Sequence, residues 1–283
     1  MKLVSFRAGG AAHYGVVLAN GIVDLSSRLG ARYADIKAVL SAGALGEAER
    51  VAKGALPDYK LADVTFDPVI PNPGKILCIG LNYEEHRMET GRPKVENPTI
   101  FVRFADTQIG HLQPVIKPKL SDLVDYECEL AVIIGKPGRY IPEDQAYDYV
   151  AGYSCYNDVS IRDYQNHTSQ WTPGKNFPAT GPFGPYMVTR DEMGNLSGKH
   201  IQTRVSGERL QYADFDQMIF PVPRLIEYIS RFTRLMPGDV IVSGTPGGVG
   251  MRREPRRWMK PGETVEVEID GIGILKNPIV AED

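Results

Sequence analysis

Nowhere does the chain run to the ~20 consecutive apolar residues that a membrane-crossing helix needs, so a bilayer-spanning helix is excluded. Charge of one sign is not in excess either: 32 basic residues stand against 35 acidic ones, a formal net charge of −3. Without a basic surplus or cluster, a phosphate backbone is not an expected partner. Cysteine is scarce and odd in number. Cys78, Cys128 and Cys155 lie far apart in apolar or aromatic stretches, which suits small buried thiols in a reducing compartment better than a disulfide framework. Met1 and Lys2 lead straight into an alternating pattern with no continuous apolar stretch and no small-residue cleavage site, so a soluble, cytoplasmic protein is expected.

What remains is the composition of a globular chain. At 283 residues and 42% hydrophobic content it is long enough for one large domain and a small one. Leu3–Phe6 and Tyr14–Leu18 read as strands, with Asn20-Gly21 as a hairpin turn, and Ile36, Val39 and Leu40 have helical spacing. Pro57, Pro68, Pro71 and Pro73 then interrupt any continuing element, which places a boundary near residues 68–74. The expectation is a small N-terminal α/β domain over residues 1–70 and a larger, mostly β domain over 71–283. Strand-like runs dominate the second part, at Ile76–Ile79, Thr99–Val102, Leu130–Ile134, Val240–Val242 and Val265–Ile269. One helix is predicted between Pro221 and Leu235, where Val222, Leu225, Ile226 and Ile229 share a face and Pro237-Gly238 ends it.

The chemistry concentrates in two places. In Asp125-Tyr126-Glu127-Cys128-Glu129-Leu130, strand alternation puts the three acids on one face. Glu-x-Glu on a strand is ordinarily a solvated edge, but here the run continues into Leu130–Ile134, which points into the core. Adjacent buried carboxylates repel unless a cation compensates them. Asp158 follows another aromatic stretch that can run alongside; by itself it would suit a cap or turn. Three carboxylates with no histidine or cysteine ligand favour a hard ion, magnesium or manganese over zinc. The second place is Gly80–Glu89, polar where a core element would be apolar. If it is helical, His86 and Glu89 share a face, so the carboxylate can orient the imidazole as a base; a surface ion pair is the common alternative.

In order along the chain, Gly80-Leu81-Asn82-Tyr83 through His86, Asp125–Leu130, Asn157–Asp163, Gly174-Lys175-Asn176-Phe177 and Val242–Gly250 resemble the signatures of the fumarylacetoacetate hydrolase family over roughly residues 70–280. The resemblance implies an α+β, mostly β fold, the family's mixed β-sandwich roll. It implies Glu127, Glu129 and Asp158 as ligands of Mg²⁺, with Mn²⁺ as the other choice, and His86 with Glu89 as a water-activating dyad on a closing segment. It further implies Lys175 as support for developing negative charge, and Arg162, Gln165 and Thr245 as substrate-holding residues. The founding hydrolases carry an additional aspartate ligand before the histidine; Gly80–Tyr83 lacks it, and the shorter bacterial type is the better match. The expected reaction is hydrolytic cleavage of a carbon–carbon bond in an acylpyruvate-type 1,3-diketo acid, fumarylpyruvate- or fumarylacetoacetate-like, releasing pyruvate and a carboxylic acid. Oxaloacetate decarboxylation, 2-oxo-acid isomerisation and non-catalytic binding of a metal and an organic acid are the alternatives. The expected partners are a small acidic dicarbonyl substrate and a second copy of the chain in a homodimer. Acyl selectivity is expected from the loop around Arg252 to Met259. The glycine-rich Gly244–Gly250 is not a phosphate loop, since no Gly-Lys-Ser/Thr follows and Pro246 removes a donor. It reads as a close backbone approach to the site wall or a plain tight turn.

Overall fold

The computed structural model describes residues 1–283. Two sheets make the body of the molecule. The larger, of 11 strands, runs Gly21–Asp24, Ala11–Leu18, Lys2–Ala8, Gly181–Thr189, Val150–Asn157, Cys128–Ile134, Val240–Val242, Ile76–Gly80 and Thr99–Val102, with two short strands off this path. Along that path all neighbours are antiparallel except Val240–Val242 with Ile76–Gly80. The smaller sheet has five strands, in the order Glu208–Asp214, His200–Val205, Thr264–Ile269, Gly273–Ala281 and Val115–Lys117. The strands expected from the sequence are present, though the acid-bearing one is broken at Tyr126 and Glu127, and so is the long helix, at Val222–Phe232, with Pro221 as its N-cap and Pro223 in its first turn. The protein is thus α+β with more strand than helix. No helix is long and apolar enough to cross a membrane. All three cysteines are free and buried.

The strand Cys128–Ile134 is buried along its whole length and explains how the two halves are joined. On one face Cys128, Leu130, Val132 and Ile134 pack into a core with Ile201, Val267 and Leu275 of the smaller sheet and Leu225, Ile226 and Ile229 of the long helix. On the other face Ala131 and Ile133 pack with Leu3, Val16, Ile36 and Val39 from the first seventy residues. Small Ala131 and branched Ile133 suit a strand covered on both sides. The stretch expected as a small N-terminal unit therefore extends the main sheet: Lys2 and Leu3 pair with Val188 and Met187. The alternation that buries Ala131 and Ile133 also puts Glu129 on this face, at the strand's start, where the sheet opens into a cavity.

Candidate active site

Strand pairing brings the acids together. Cys128 lies opposite Asn157, so the end of Val150–Asn157 delivers Asp158 beside Glu127 and Glu129. Oxygens of Glu127, Glu129 and Asp158 all lie within 4.8 Å of one another, and all three residues are buried. Asp125 does not join them. The strand is interrupted at Tyr126 and Glu127, and Val124–Asp125 forms a separate two-stranded ribbon with Ser160–Ile161. There Asp125 accepts hydrogen bonds from Arg162 Nε at 2.8 Å and from the backbone N–H groups of Gly250 and Met251 at 2.7 and 3.0 Å. The expectation of three acids on one strand face is corrected: two share the site, and the third anchors an arginine.

Each acid has a distinct electrostatic setting. Lys175 Nζ donates to Glu127 Oε2 and Asp158 Oδ2, both at 2.6 Å. Arg162 Nη2 reaches Glu127 Oε1 at 2.7 Å, and Arg103 Nη1 donates to Asp158 Oδ1 at 2.6 Å. Glu129 has only the backbone N–H of Gly244, at 2.5 Å. The consequences for ionisation diverge. Burial raises both glutamates, but Lys175 and Arg162 reverse this at Glu127 and hold it at about 2, whereas Glu129, beside Asp158 and Glu127, is pushed well above the ordinary carboxylate range. Burial would lower Lys175, but Asp158 and Glu127 outweigh it and keep the ammonium charged.

The donor set fits a hard divalent cation. With every group ionised, four buried carboxylates, Asp125, Glu127, Glu129 and Asp158, face three buried cations, Arg103, Arg162 and Lys175, so Glu129 is the acid without a counter-charge and is driven toward its neutral form unless a cation is bound. Carboxylate oxygens each keep a second lone pair after one ion pair, so the pairs above leave ligand capacity. A divalent ion at the triad changes the sum from −1 to +1, which an organic acid's carboxylate then neutralises.

Facing the triad is the helix Glu84–Thr90. His86 is buried, and its Nδ1 lies 2.6 Å from Glu89 Oε1. Glu89 Oε2 in turn accepts the backbone N–H of Gly248 at 3.0 Å. With Nδ1 engaged, Nε2 is the ring nitrogen left for the cavity. That cavity, of about 70 Å³, is lined by His86, Glu127, Glu129, Arg162, Gln165, Lys175 and Thr245 among others. Glu89 and Asp158 sit behind this lining, each hydrogen-bonded to a lining residue. All nine residues singled out in the sequence thus converge. Arg162 Nη1 holds Gln165 Oε1 at 2.8 Å, and Gln211 Nε2 holds Thr245 Oγ1 at 2.8 Å.

Sequence reasoning missed Arg103 and Gln211. Arg103 follows the strand Thr99–Val102 between Val102 and Phe104, and a charge flanked by apolar residues is a usable signal for a buried ion pair. Gln211 offers no such signal, yet it bridges the smaller sheet to the strand Cys128–Ile134, accepting from Cys128 N at 3.1 Å. The glycine-rich loop is more than a turn: Gly244, Gly248 and Gly250 each give a backbone N–H to a different acid, Glu129, Glu89 and Asp125. Within Gly80–Tyr83, the stretch that lacks the additional aspartate, Asn82 is fully buried and structural, donating to Phe220 O and Ser243 O at 3.0 and 2.7 Å. Of the loop expected to set acyl selectivity, Arg252 lines the cavity next to Met251, whereas Arg253 turns away to Gly248 O and Leu210 O.

Comparison with known proteins gives a consistent picture. The model of the fumarylacetoacetate (FAA) hydrolase C-terminal family matches residues 75–280. The human mitochondrial oxaloacetate tautomerase FAHD2A is 37% identical over 288 residues, covering 99% of this chain and 92% of that relative. Among solved structures, fumarylacetoacetate hydrolase from psychrophilic Exiguobacterium antarcticum is 31% identical with a TM-score of 0.87, each chain covered in full. Maleylpyruvate hydrolase from Sphingobium sp. SYK-6, in complex with manganese(II) and pyruvate, is 26% identical with a TM-score of 0.84, again with both chains fully covered.

Proposed function

The chain belongs to the fumarylacetoacetate hydrolase family, and from that premise we propose that it is a divalent-metal enzyme that moves a proton at the carbon between two carbonyls of a small 2-oxo dicarboxylic acid, interconverting the enol and keto forms of oxaloacetate. The observation that carries this reading is the His86–Glu89 pair, 2.6 Å apart, set across a cavity of about 70 Å³ from the acid triad. Full-length similarity to oxaloacetate tautomerases supports the same substrate.

A divalent cation, Mg²⁺ or Mn²⁺, held by Glu127, Glu129 and Asp158 would supply Lewis-acid stabilisation of negative charge on the substrate's 2-oxo oxygen. The chain's own residues do the rest. Glu89 accepts a hydrogen bond from the Nδ1–H of His86 and so presents Nε2 as a base or, once protonated, an acid. In the enol-to-keto direction the hydroxyl proton leaves and C3 gains a proton, and His86 is the group that exchanges it. Lys175 and Arg162 keep positive charge beside the carboxylates, so the substrate's own carboxylate enters a balanced site. Gln165 and Thr245, each pinned by a hydrogen bond, orient the acid.

A second reading is hydrolysis of an acylpyruvate, favoured by the likeness to a maleylpyruvate hydrolase; there His86 activates water instead of exchanging with carbon. The test is an assay of oxaloacetate enol decay with Mn²⁺, Mg²⁺ or chelator, run beside pyruvate release from acylpyruvates and from oxaloacetate. Metal-dependent acceleration of enol decay without pyruvate release is the expected result; pyruvate from acylpyruvates alone would move the function to a hydrolase, and pyruvate from oxaloacetate to a decarboxylase. His86→Ala is expected to slow the reaction by ~10²–10⁴-fold while metal binding, followed by calorimetry, stays nearly unchanged.

A further inference from the structure

One wall of the metal-site cavity separates it from a larger space. A second cavity of about 470 Å³ lies beside it, and Leu81, Arg92, Phe101, Asn166 and Trp171 line both. Trp171 is the bulkiest of these residues and is held from three sides. Phe101 meets it edge-on, with ring centroids 5.5 Å apart and planes at 67°. The Arg92 guanidinium sits over its ring at 5.9 Å. Gly80 passes so close that a methyl group there would come within 2.3 Å of the indole Cζ3. The ring is also tied to the chemistry. Trp171 is the N-cap of the short helix Thr172–Lys175 that carries Lys175, whose ammonium lies 5.0 Å from the Phe101 centroid. Lys175, Phe101, Trp171 and Arg92 thus form one chain of contacts running from the acid triad to the outer cavity.

We infer that Trp171 is a specificity-determining partition, which confines the substrate to the small inner cavity and so selects short 2-oxo acids over those whose chain would extend into the outer one. This rests on the reading that the inner cavity takes a 2-oxo acid. The physical basis is steric: the indole is the bulkiest side chain in the wall that the two cavities share, and Gly80, which has no side chain, leaves the room its six-membered ring takes beside the strand Ile76–Gly80. Arg92 is exposed and its side chain takes part in no ion pair within the chain, its guanidinium lying over the Trp171 ring.

The test is calorimetric binding of pyruvate, 2-oxobutyrate, 2-oxohexanoate and 2-oxooctanoate to the manganese-loaded protein, in wild type, Trp171→Ala and Arg92→Ala. Affinity in the wild type is expected to fall beyond four carbons. Trp171→Ala should raise affinity for the six- and eight-carbon acids relative to pyruvate by about ten-fold or more, with Arg92→Ala moving the ratio the same way by about three-fold. A chain-length dependence unchanged in both variants overturns the inference. Should Trp171→Ala fail to fold, the exposed Arg92→Ala decides it. Because binding is read rather than turnover, a wild type that leaves oxaloacetate enol decay unaltered would sink the tautomerase reading without touching this result.

Discussion

Glu127 and Glu129 are two residues apart, both buried, and driven in opposite directions by their neighbours. Glu127, between Lys175 and Arg162, has a folded pKa of about 2 against an ordinary 4.5. A lowered carboxylate pKa contributes stability that is present above 4.5 and is lost as pH falls toward 2. Glu129 is raised above the same ordinary value, so its contribution is present at low pH and is lost as pH rises from 4.5 through its folded value. In metal-stripped protein, Glu129→Gln is therefore expected to raise the melting temperature relative to wild type, by a margin that widens as pH rises from about 5 to neutrality. Glu127→Gln should lower it over the same range, because Lys175 and Arg162 lose their counter-charge. With saturating Mn²⁺ the order of Glu129→Gln and wild type should invert, since the substituted amide is a poorer ligand. Thermal melts across pH, with and without the ion, check all three statements, and a pH-independent difference at Glu129 would remove the electrostatic account.

At the scale of elements, the loop Gly244–Gly250 sets the geometry of the site through its backbone. Its N–H groups fix Glu129, Glu89 and Asp125, which belong to the main sheet, the His86 helix and the two-stranded ribbon. Gly244 has φ of +100°, and a methyl group there would lie 2.6 Å from Asn82 Cβ. No L side chain is comfortable in that conformation. Gly244→Ala is expected to destabilise the fold by about 1–3 kcal/mol in denaturant titrations and to weaken Mn²⁺ binding, because the donor to Glu129 moves with the backbone. Loss of stability with full metal affinity would mean that the Glu129 contact has no part in binding. The Glu84–Thr90 helix depends on the same loop: Gly248 N–H is the only partner of Glu89 outside its own helix, so the orientation of His86 is fixed by a residue 162 positions away in the chain.

Across the whole molecule, the first seventy residues and the remainder share one sheet and one core. Leu3, Val16, Ile36 and Val39 pack against Ala131, Ile133 and Val242, and Lys2–Ala8 covers the edge of Gly181–Thr189. A chain containing only residues 71–283 is expected to expose that strand edge together with the apolar face of the main sheet, and to aggregate. Size-exclusion chromatography and circular dichroism of the truncated chain test this; a monodisperse, folded product that binds Mn²⁺ would make the C-terminal part independent. The expected homodimer is checked in the same way, by sedimentation of the full chain.

Strands, the long helix, the Glu127–Glu129 pair and the histidine–glutamate pair were legible in the sequence from local signals, while Lys175, Arg162, Gln165 and Thr245 came from the resemblance to the family. Alternation places Glu127 and Glu129 on one side, a three-residue step places His86 and Glu89 together, and the order of five motifs carries the rest. Tertiary structure alone decided that Asp125 stands apart from the triad. Asp125 continues the same alternation, but the strand breaks after it, and the partners that claim it, Arg162, Gly250 and Met251, are 37 to 126 residues away. The same holds for Gln211 and for the Trp171 wall, whose positions follow from packing between distant segments. Periodicity reports which side of its own element a residue takes; charge balance and cavity shape depend on what other elements bring to that side.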